Sequence, residues 1–354
     1  MFNNINNNEI KIIDTTLRDG EQTSGVVFFK KDKIKIAKEL DKLGVEIIEA
    51  GIPIVSKDEI DILQTLNKMK LNSELLTWNR LKKEDILASL ETGIKNIHIS
   101  VPISDIHIYK KLKKNRNWIL IETKKMIEFA KSYNLNISIG AEDASRADEK
   151  FLIKFYKLVE KLGIKRVRYA DTLSVLNPIT TNKIITKLKN EISCDIDFHG
   201  HNDFGMATAN AFVAYKSGAK FISTCVNGIG ERAGNTALEE ILLSLKYLDN
   251  EKDNYKLNRL YNLSKIVEKS SKIKIAENKP VVGERVFSHE SGIHVDGLLK
   301  AKEIYQFLNP NDINRKNKIL LGKFSGKSAL KYFLDSSNIN KCNSSFYNLA
   351  KELS

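Results

Sequence analysis

Cysteine is scarce in this chain, and long apolar runs are missing. The three cysteines, Cys194, Cys225 and Cys342, are scattered and form no Cys-x-x-Cys pair, which is typical of reduced thiols in the cytoplasm. No apolar run approaches the ~18 residues that a membrane span requires. The first residues are polar and do not resemble a signal peptide. We therefore expect a cytoplasmic protein without a membrane partner.

The chain also lacks a basic stripe interleaved with aromatic residues, although its net charge is +13. Its 57 Lys and Arg residues outnumber its 44 Asp and Glu residues, but they are dispersed, mostly as Lys-Lys pairs. Such a distribution is typical of solvated helix faces and argues against nucleic acid as a partner. The densest basic cluster, residues 110–116, is a candidate contact for a phosphate-bearing ligand.

No Gly-x-Gly-x-x-Gly sequence follows the first strand-like run, which argues against a dinucleotide-binding fold. Strand-like and helical patterns alternate instead, and eight such units within about 250 residues favour a closed (β/α)8 TIM barrel. The predicted strands are 10–14, 45–50, 73–78, 95–101, 135–140, 166–170, 194–199 and 220–224. The predicted helices are 30–43, 57–69, 82–92, 117–133, 148–161, 178–190, 205–217 and 236–248. We place the barrel in residues 1–272 and a mostly helical C-terminal arm in residues 273–354.

A glycine marks four junctions between a helix and the next strand. Each one follows an amphipathic run and precedes an apolar run; they are Gly44, Gly93, Gly163 and Gly218. Glycine at the end of a helix accepts the left-handed conformation, so this repeat predicts helix ends. Asn177 and Pro178 predict a helix start, with proline at the first helical position.

Charged and imidazole side chains follow the predicted strands. Arg18 and Asp19 come in the turn after the first strand, where α/β barrels keep their chemistry. His199 and His201 project to the same side of a strand end, because successive strand side chains alternate. Two imidazoles with a carboxylate nearby suit zinc, manganese or iron, or magnesium if water completes the shell. The spacing alone also allows structural histidines.

Four motifs stand out in the sequence: residues 14–22 (DTTLRDGEQ), 199–205 (HGHNDFG), 227–235 (NGIGERAGN) and 288–294 (SHESGIH). Together they resemble the isopropylmalate synthase and homocitrate synthase family of metal-dependent, Claisen-condensing TIM barrels. Within this family the chain is most similar to the homocitrate synthases of nitrogen fixation, through residues 49–53, 101–105, 140–148 and 293–300. The resemblance implies condensation of acetyl-CoA with 2-oxoglutarate and thioester hydrolysis to homocitrate and CoA, for nitrogenase cofactor assembly.

The resemblance also implies roles for particular residues. The implied ligands of a Mg, Mn or Zn ion are Asp19, His199, His201 and Asn235. The implied catalytic residues are Arg18, Glu142, His294 and Tyr305, and part of this set reaches over from the partner subunit of a homodimer. The implied substrate-binding residues are His98, Ser138 and Thr172.

One departure from the family concerns the distal carboxylate of the oxo acid. Ser138 stands where lysine-pathway homocitrate synthases carry an arginine for this carboxylate. The group that binds the carboxylate is therefore open, with Arg80 and Arg146 among the possible donors near the barrel mouth.

Two other functions stay open at this point. The same scaffold makes 2-isopropylmalate or (R)-citramalate when the oxo acid differs. A barrel without catalysis that acts as a binding or sensor protein belongs to a different class, and the intact set of Arg18, Asp19, His199 and His201 argues against it.

Overall fold

The structure is a computed structural model that describes residues 10–249 and 254–336. Eight parallel strands form a closed barrel in chain order, and the last strand is hydrogen-bonded to the first. The strands are β1 (Lys11–Asp14), β2 (Ile47–Gly51), β3 (Glu74–Arg80), β4 (Asn96–Pro102), β5 (Asn136–Glu142), β6 (Arg166–Asp171), β7 (Asp195–Gly200) and β8 (Phe221–Thr224). The helices that follow them are α1 (Lys30–Leu43), α2 (Lys57–Lys68), α3 (Lys83–Glu91), α4 (Arg116–Ser132), α5 (Glu149–Lys161), α6 (Pro178–Glu191), α7 (Ala207–Lys216) and α8 (Leu238–Asp249). The predicted TIM barrel is confirmed, and each strand and helix overlaps its predicted range.

The local signals in the sequence are confirmed at the helix ends. The four junction glycines have positive φ angles of 104°, 74°, 77° and 108°. The side chain of Asn177 accepts from two backbone N–H groups at the start of α6, and Pro178 is the first residue of that helix. These signals end and begin helices because they satisfy backbone geometry locally, without help from distant contacts.

The interior of the barrel changes from apolar to charged along its length. Ile13, Ile47, Leu76 and Phe221 form a buried cluster that includes the first residues of β2 and β8. Nearer the carboxyl ends of the strands the interior holds buried ionic side chains, among them Glu49 and Arg168. The chemistry of the barrel therefore has to be sought at its carboxyl end.

The described residues divide into two compact units, which fall within residues 1–256 with 262–274 and within residues 257–261 with 275–354. The later elements are α9 (Leu260–Ser271), β9 (Ser288–His289), α10 (Gly292–Lys300), β10 (Lys318–Ile319) and α11 (Lys327–Ser336). The C-terminal region is helical as predicted, but the short parallel pairing of β9 with β10 was not predicted. Cys342 and the rest of the predicted arm after residue 336 lie outside the described residues.

None of the helices in the described part of the chain combines the length and the apolar character that crossing a membrane would need.

Candidate active site

A cavity of about 530 Å³ lies at the carboxyl ends of the barrel strands. Most of the residues that the sequence assigned to a site inside the barrel line it. These are Arg18, Asp19, His98, Glu142, Thr172, His199 and His201. Because parallel strands in a barrel end at one mouth, residues far apart in the chain converge there.

Asp19, His199 and His201 form a buried triad at this mouth. One potential ligand atom from each residue lies within 4.8 Å of the others. Asp19 Oδ2 is 3.1 Å from His199 Nε2, and the two imidazole rings have centroids 5.0 Å apart. The predicted ligand residues are thus brought together, with the donor set that divalent transition metals prefer.

Asn235 lies next to the triad, although it is not among the residues that line the cavity. Its backbone forms a β-bridge with His201, and its Nδ2 donates to the Ile229 carbonyl over 3.1 Å. Its Oδ1 is buried without a hydrogen-bond partner, and so is Asp19 Oδ1. Buried polar atoms are normally satisfied, so unpaired oxygens beside two imidazoles fit a cation. The residues present therefore suit the metal that the resemblance implies.

The protonation of the triad also suits a metal. Burial, together with the neighbouring His199 and the cationic Arg232, lowers the pKa of His201 to about 4, although Asp19 acts in the opposite direction. Its imidazole is therefore neutral near pH 7, which is the form that binds metal. Burial alone would raise the pKa of Asp19, but the Arg18 guanidinium and the two imidazoles outweigh it and hold this pKa well below its usual range.

Glycines let the loop of residues 227–235 approach the triad. Gly230 has a φ of 151°, and a Cβ there would lie 2.0 Å from Asn235 Nδ2 and 3.3 Å from Asp19 Oδ1. Gly234 has a φ of 89°, and its Cβ would lie 1.9 Å from the Gly228 carbonyl oxygen. The glycine-rich motif is thus explained by close packing of backbone against the candidate ligands.

Arg18 joins the triad to the charged interior of the barrel. Its Nη1 donates to Asp19 Oδ2 over 2.9 Å, and its Nε pairs with Glu49 Oε1. The guanidinium also lies over the Trp78 ring, 5.6 Å from the centroid. Held at three points, this cation has a defined position next to the candidate metal ligands, where it can stabilise developing negative charge.

Glu142 ends β5 and faces the cavity between two basic side chains. Lys111 Nζ donates to its Oε1 over 2.7 Å, and His107 Nδ1 lies 3.3 Å from the same oxygen. Burial alone would raise the pKa of Glu142, but His107 and Lys111 bring it below its usual value. Both basic residues belong to a π-helix, Ile106–Lys111, an irregularity common at functional sites. Part of the predicted basic cluster thereby reaches the cavity.

The three predicted substrate contacts differ in position. His98 is 1% exposed and lines the cavity, and its Nδ1 lies 2.9 Å from Ser138 Oγ. Thr172 Oγ1 accepts from the Asp143 N–H over 2.9 Å, so its own hydroxyl hydrogen is available to a ligand. Ser138 is not among the cavity-lining residues, because Gly140, two positions further along β5, occupies the cavity level. Ser138 therefore supports His98 in the structure.

His294 and Tyr305 lie in the second compact unit. The two predicted residues are neighbours, with ring centroids 4.5 Å apart. Gly297 makes room for this pair, since a Cβ there would lie 2.5 Å from the Tyr305 ring. Their participation in the partner's site stays a prediction.

The sequence reasoning missed Arg168 and Trp78, which both line the cavity. Arg166 and Arg168 alternate within a strand predicted to be buried, and a buried arginine needs a partner, so the signal was present. Of the arginines that were named, Arg80 lines the cavity but makes two hydrogen bonds to Asp85, of 2.9 and 2.8 Å. Arg146 is not among the lining residues and pairs with Asp143.

Comparison with known proteins places the chain in a family. Residues 9–267 match the family model described as HMGL-like, and residues 281–353 match the one described as homocitrate synthase post-HMGL domain-like. HMG-CoA lyase from Bacillus subtilis shares the fold, with a TM-score of 0.68 and 22% identity over 76% of this chain and 95% of that one.

Curated relatives carry three different names at similar identity. (R)-citramalate synthase CimA of Methanocaldococcus jannaschii is 44% identical over 94% of this chain and 67% of its own length. 2-Isopropylmalate synthase 2 of Caldanaerobacter subterraneus is 43% identical over 91% and 84%. Homocitrate synthase AksA of Methanothermobacter thermautotrophicus is 41% identical over 94% and 85%. The chain belongs to the HMGL-like family, among the acetyl-CoA-dependent condensing enzymes that comprise the isopropylmalate, citramalate and homocitrate synthases.

Proposed function

We propose that this enzyme is a homocitrate synthase that condenses acetyl-CoA with 2-oxoglutarate. The observation that carries the proposal is the polar wall beneath the triad, where buried His98 and Arg168 line the cavity. An oxo acid whose keto group lies at the triad directs its tail toward this wall. A carboxylate tail would be paired there, whereas an isopropyl or methyl tail would leave buried polar groups without partners, at a cost in binding free energy.

The relatives alone do not select the substrate, because citramalate, isopropylmalate and homocitrate synthases match the chain at 44%, 43% and 41% identity. The distinction between them concerns a few side chains near the tail of the oxo acid. The chemistry of the cavity wall is therefore the better guide to the oxo acid than overall identity.

At the keto end of the substrate, Asp19, His199, His201 and Asn235 would hold the divalent metal. When bound, such an ion polarises the keto carbonyl as a Lewis acid. Arg18 stabilises the charge that develops on the reacting oxygens. The free hydroxyl hydrogen of Thr172 is positioned to donate to the carboxylate of the oxo acid that lies next to its keto group.

The carbon–carbon bond forms between the acetyl methyl group and C2 of the oxo acid. A base removes a methyl proton, the resulting enolate carbon attacks C2, and the carbonyl electron pair moves to oxygen, which is protonated. Water then cleaves the thioester and releases CoA. We assign the base system to His294 and Tyr305 with Glu142 as its ionised helper, because the two rings are adjacent and Glu142 faces the cavity.

A panel of 2-oxo acids with acetyl-CoA, followed by release of the CoA thiol, tests the substrate. We expect kcat/KM for 2-oxoglutarate to exceed that for 2-oxoisovalerate or pyruvate by about 100-fold or more, since sites built to pair a polar group reject analogues without it. Preference for pyruvate would instead identify a citramalate synthase, and preference for 2-oxoisovalerate an isopropylmalate synthase. No thiol release with any acid would support the non-catalytic barrel.

We further propose a cytoplasmic homodimer in which His294 of each subunit serves the barrel of its partner. Mixing an Asp19→Asn variant with a His294→Ala variant should then restore about a quarter of wild-type activity. Half of the randomly formed dimers are mixed, and each mixed dimer has one complete site. Mixing Asp19→Asn with His199→Ala is the matched control and should give no rescue, because both changes lie in the same barrel. Inactivity of the first mixture after verified subunit exchange would contradict the shared site.

Because the sequence motifs resemble those of the homocitrate synthases of nitrogen fixation, we propose that the product serves nitrogenase cofactor assembly. A deletion strain should recover nitrogenase activity when homocitrate is supplied, and failure to recover would remove this assignment while leaving the reaction intact.

A further inference from the structure

Arg168 occupies the deep wall of the cavity, inside the barrel. It lies on β6 opposite Gly140 of β5, lines the cavity and is 3% exposed. A guanidinium at such a depth needs partners for its N–H groups, because unpaired buried charge is unfavourable.

The partners of Arg168 use only part of its hydrogen-bonding capacity. Its Nε donates to Asp197 Oδ2 over 2.6 Å, and its Nη2 lies 2.8 Å from Glu49 Oε2. Its Nη1 makes no hydrogen bond with any described residue. A guanidinium has five N–H donors in one plane, so this free end of the fork can receive an acceptor from the cavity.

The depth of Arg168 matches the length of a five-carbon dioic acid. In the strand register Ala170 pairs with His199 and Arg168 pairs with Asp197, so Arg168 lies two residues below the level of the triad. Two residues along a strand correspond to about 6.6 Å. This is comparable with the reach of the carbon arm that leads from the keto group of 2-oxoglutarate to its second carboxylate.

Gly140 makes room for the His98 imidazole next to Arg168. A Cβ at this position would lie 2.4 Å from His98 Nε2 and 3.6 Å from the Cβ of Arg168. Any larger residue would therefore displace the imidazole. With glycine at this position, His98 and Arg168 line the cavity side by side.

The other arginines at the mouth and Lys111 are engaged elsewhere, and Lys82, which also lines the cavity, is exposed. Arg80 and Arg232 each make two hydrogen bonds to one carboxylate, Asp85 and Asp203 respectively, and Lys111 is bonded to Glu142. Arg18 is paired with Asp19 and Glu49 beside the triad, at the keto end of the substrate.

We propose that Arg168 is the specificity-determining residue, and that its Nη1 binds the distal carboxylate of the 2-oxo dicarboxylic acid beside His98. The proposal rests on the proposed function and names the group that distinguishes a dicarboxylate from a monocarboxylate. The residue that would bind the distal carboxylate thus lies on β6. Ser138 on β5 contacts His98 but does not line the cavity.

The test compares 2-oxoglutarate with 2-oxopentanoate, which has the same carbon chain and no second carboxylate. The main variant is Arg168→Met combined with Asp197→Asn, because removing both members of a buried ion pair avoids leaving a charge unpaired. We expect kcat/KM for 2-oxoglutarate to fall about 100-fold or more, while that for 2-oxopentanoate changes only a few-fold. Asp197→Asn alone is the matched control and retains the preference for 2-oxoglutarate.

Arg168→Lys is a second variant that keeps the charge. It tests the proposal even if the double variant does not fold. We expect this variant to raise KM for 2-oxoglutarate by roughly tenfold, with 2-oxopentanoate unaffected, because one charge-assisted hydrogen bond is lost. An equal fall for both acids would mean a purely structural role and would overturn the proposal. A wild-type preference that persists in the double variant would overturn it too, while leaving the proposed function intact. A wild-type enzyme indifferent to the two acids would overturn both.

Discussion

Replacing His201 with alanine is expected to abolish metal binding and to lower kcat/KM by about 1000-fold or more. Lewis-acid catalysis contributes several kcal/mol, and each 1.36 kcal/mol corresponds to a factor of ten in rate. The same result is expected for His199→Ala, because Asp19 Oδ2 lies 3.1 Å from His199 Nε2 and the ligand set is shared. The fold should persist, since each change removes an imidazole whose Nδ1 has no hydrogen-bond partner.

Metal content by elemental analysis, circular dichroism and thiol release should be measured on the same preparations. His289→Ala is the matched control for metal content, because it removes an imidazole outside the triad and should keep the metal. Full metal occupancy with normal turnover in both triad variants would refute the ligand assignment. Lost turnover with full occupancy would give these histidines a different role.

The barrel could be predicted because its signals are local. Alternating periodicities, Gly44 and its three counterparts, and the cap at Asn177 each act over a few residues. Sequence alone therefore sufficed for the order of the barrel elements and, to within two residues, for their bounds. The position of the site followed as well, since strand ends in a barrel converge at one mouth.

The charged interior could not be predicted in the same way. Glu49 and Arg168 are far apart in the chain and meet at 2.8 Å only after the barrel has closed. Whether Ser138 or Gly140 reaches the cavity depends on the stagger of β5 against its neighbours, which the strand pattern does not encode. The π-helix that brings His107 to Glu142 also breaks the regular helical spacing on which the sequence reasoning relied.

The interior charges link the candidate metal ligands to the deep wall of the cavity. Arg18 contacts Asp19 at one end, and Arg168 contacts Asp197 at the other, with Glu49 paired to both arginines between them. A carboxylate in this position holds two guanidinium groups at a fixed separation. The two ends of the proposed substrate site are therefore positioned by one buried residue.

Replacing Glu49 with glutamine is expected to lower the free energy of unfolding by about 3 kcal/mol at pH 7, the lower end for breaking a buried ion pair, because Arg18 and Arg168 each keep one other carboxylate, Asp19 and Asp197. Glu49 is fully buried, and both of its oxygens face guanidinium groups. Urea denaturation followed by circular dichroism measures the effect. The matched control is Glu191→Gln, which alters an exposed pair with Lys157 and should leave the denaturation midpoint unchanged.

The unfolding free energy lost in Glu49→Gln should also depend on pH. Burial alone would raise the pKa of Glu49, but Arg168 and Arg18 outweigh it and hold this pKa far below its usual value. A carboxyl whose pKa is lower in the folded state contributes its full stability above the unfolded pKa of about 4.3, and the contribution is lost as the pH falls toward the folded value. The difference in unfolding free energy between the wild type and Glu49→Gln should therefore be constant from pH 7 to about 5 and should decrease below about pH 4. Equal stability of the two proteins at pH 7, or a difference in unfolding free energy that increases on acidification, would show that Glu49 does not hold the two arginines as an ionised carboxylate.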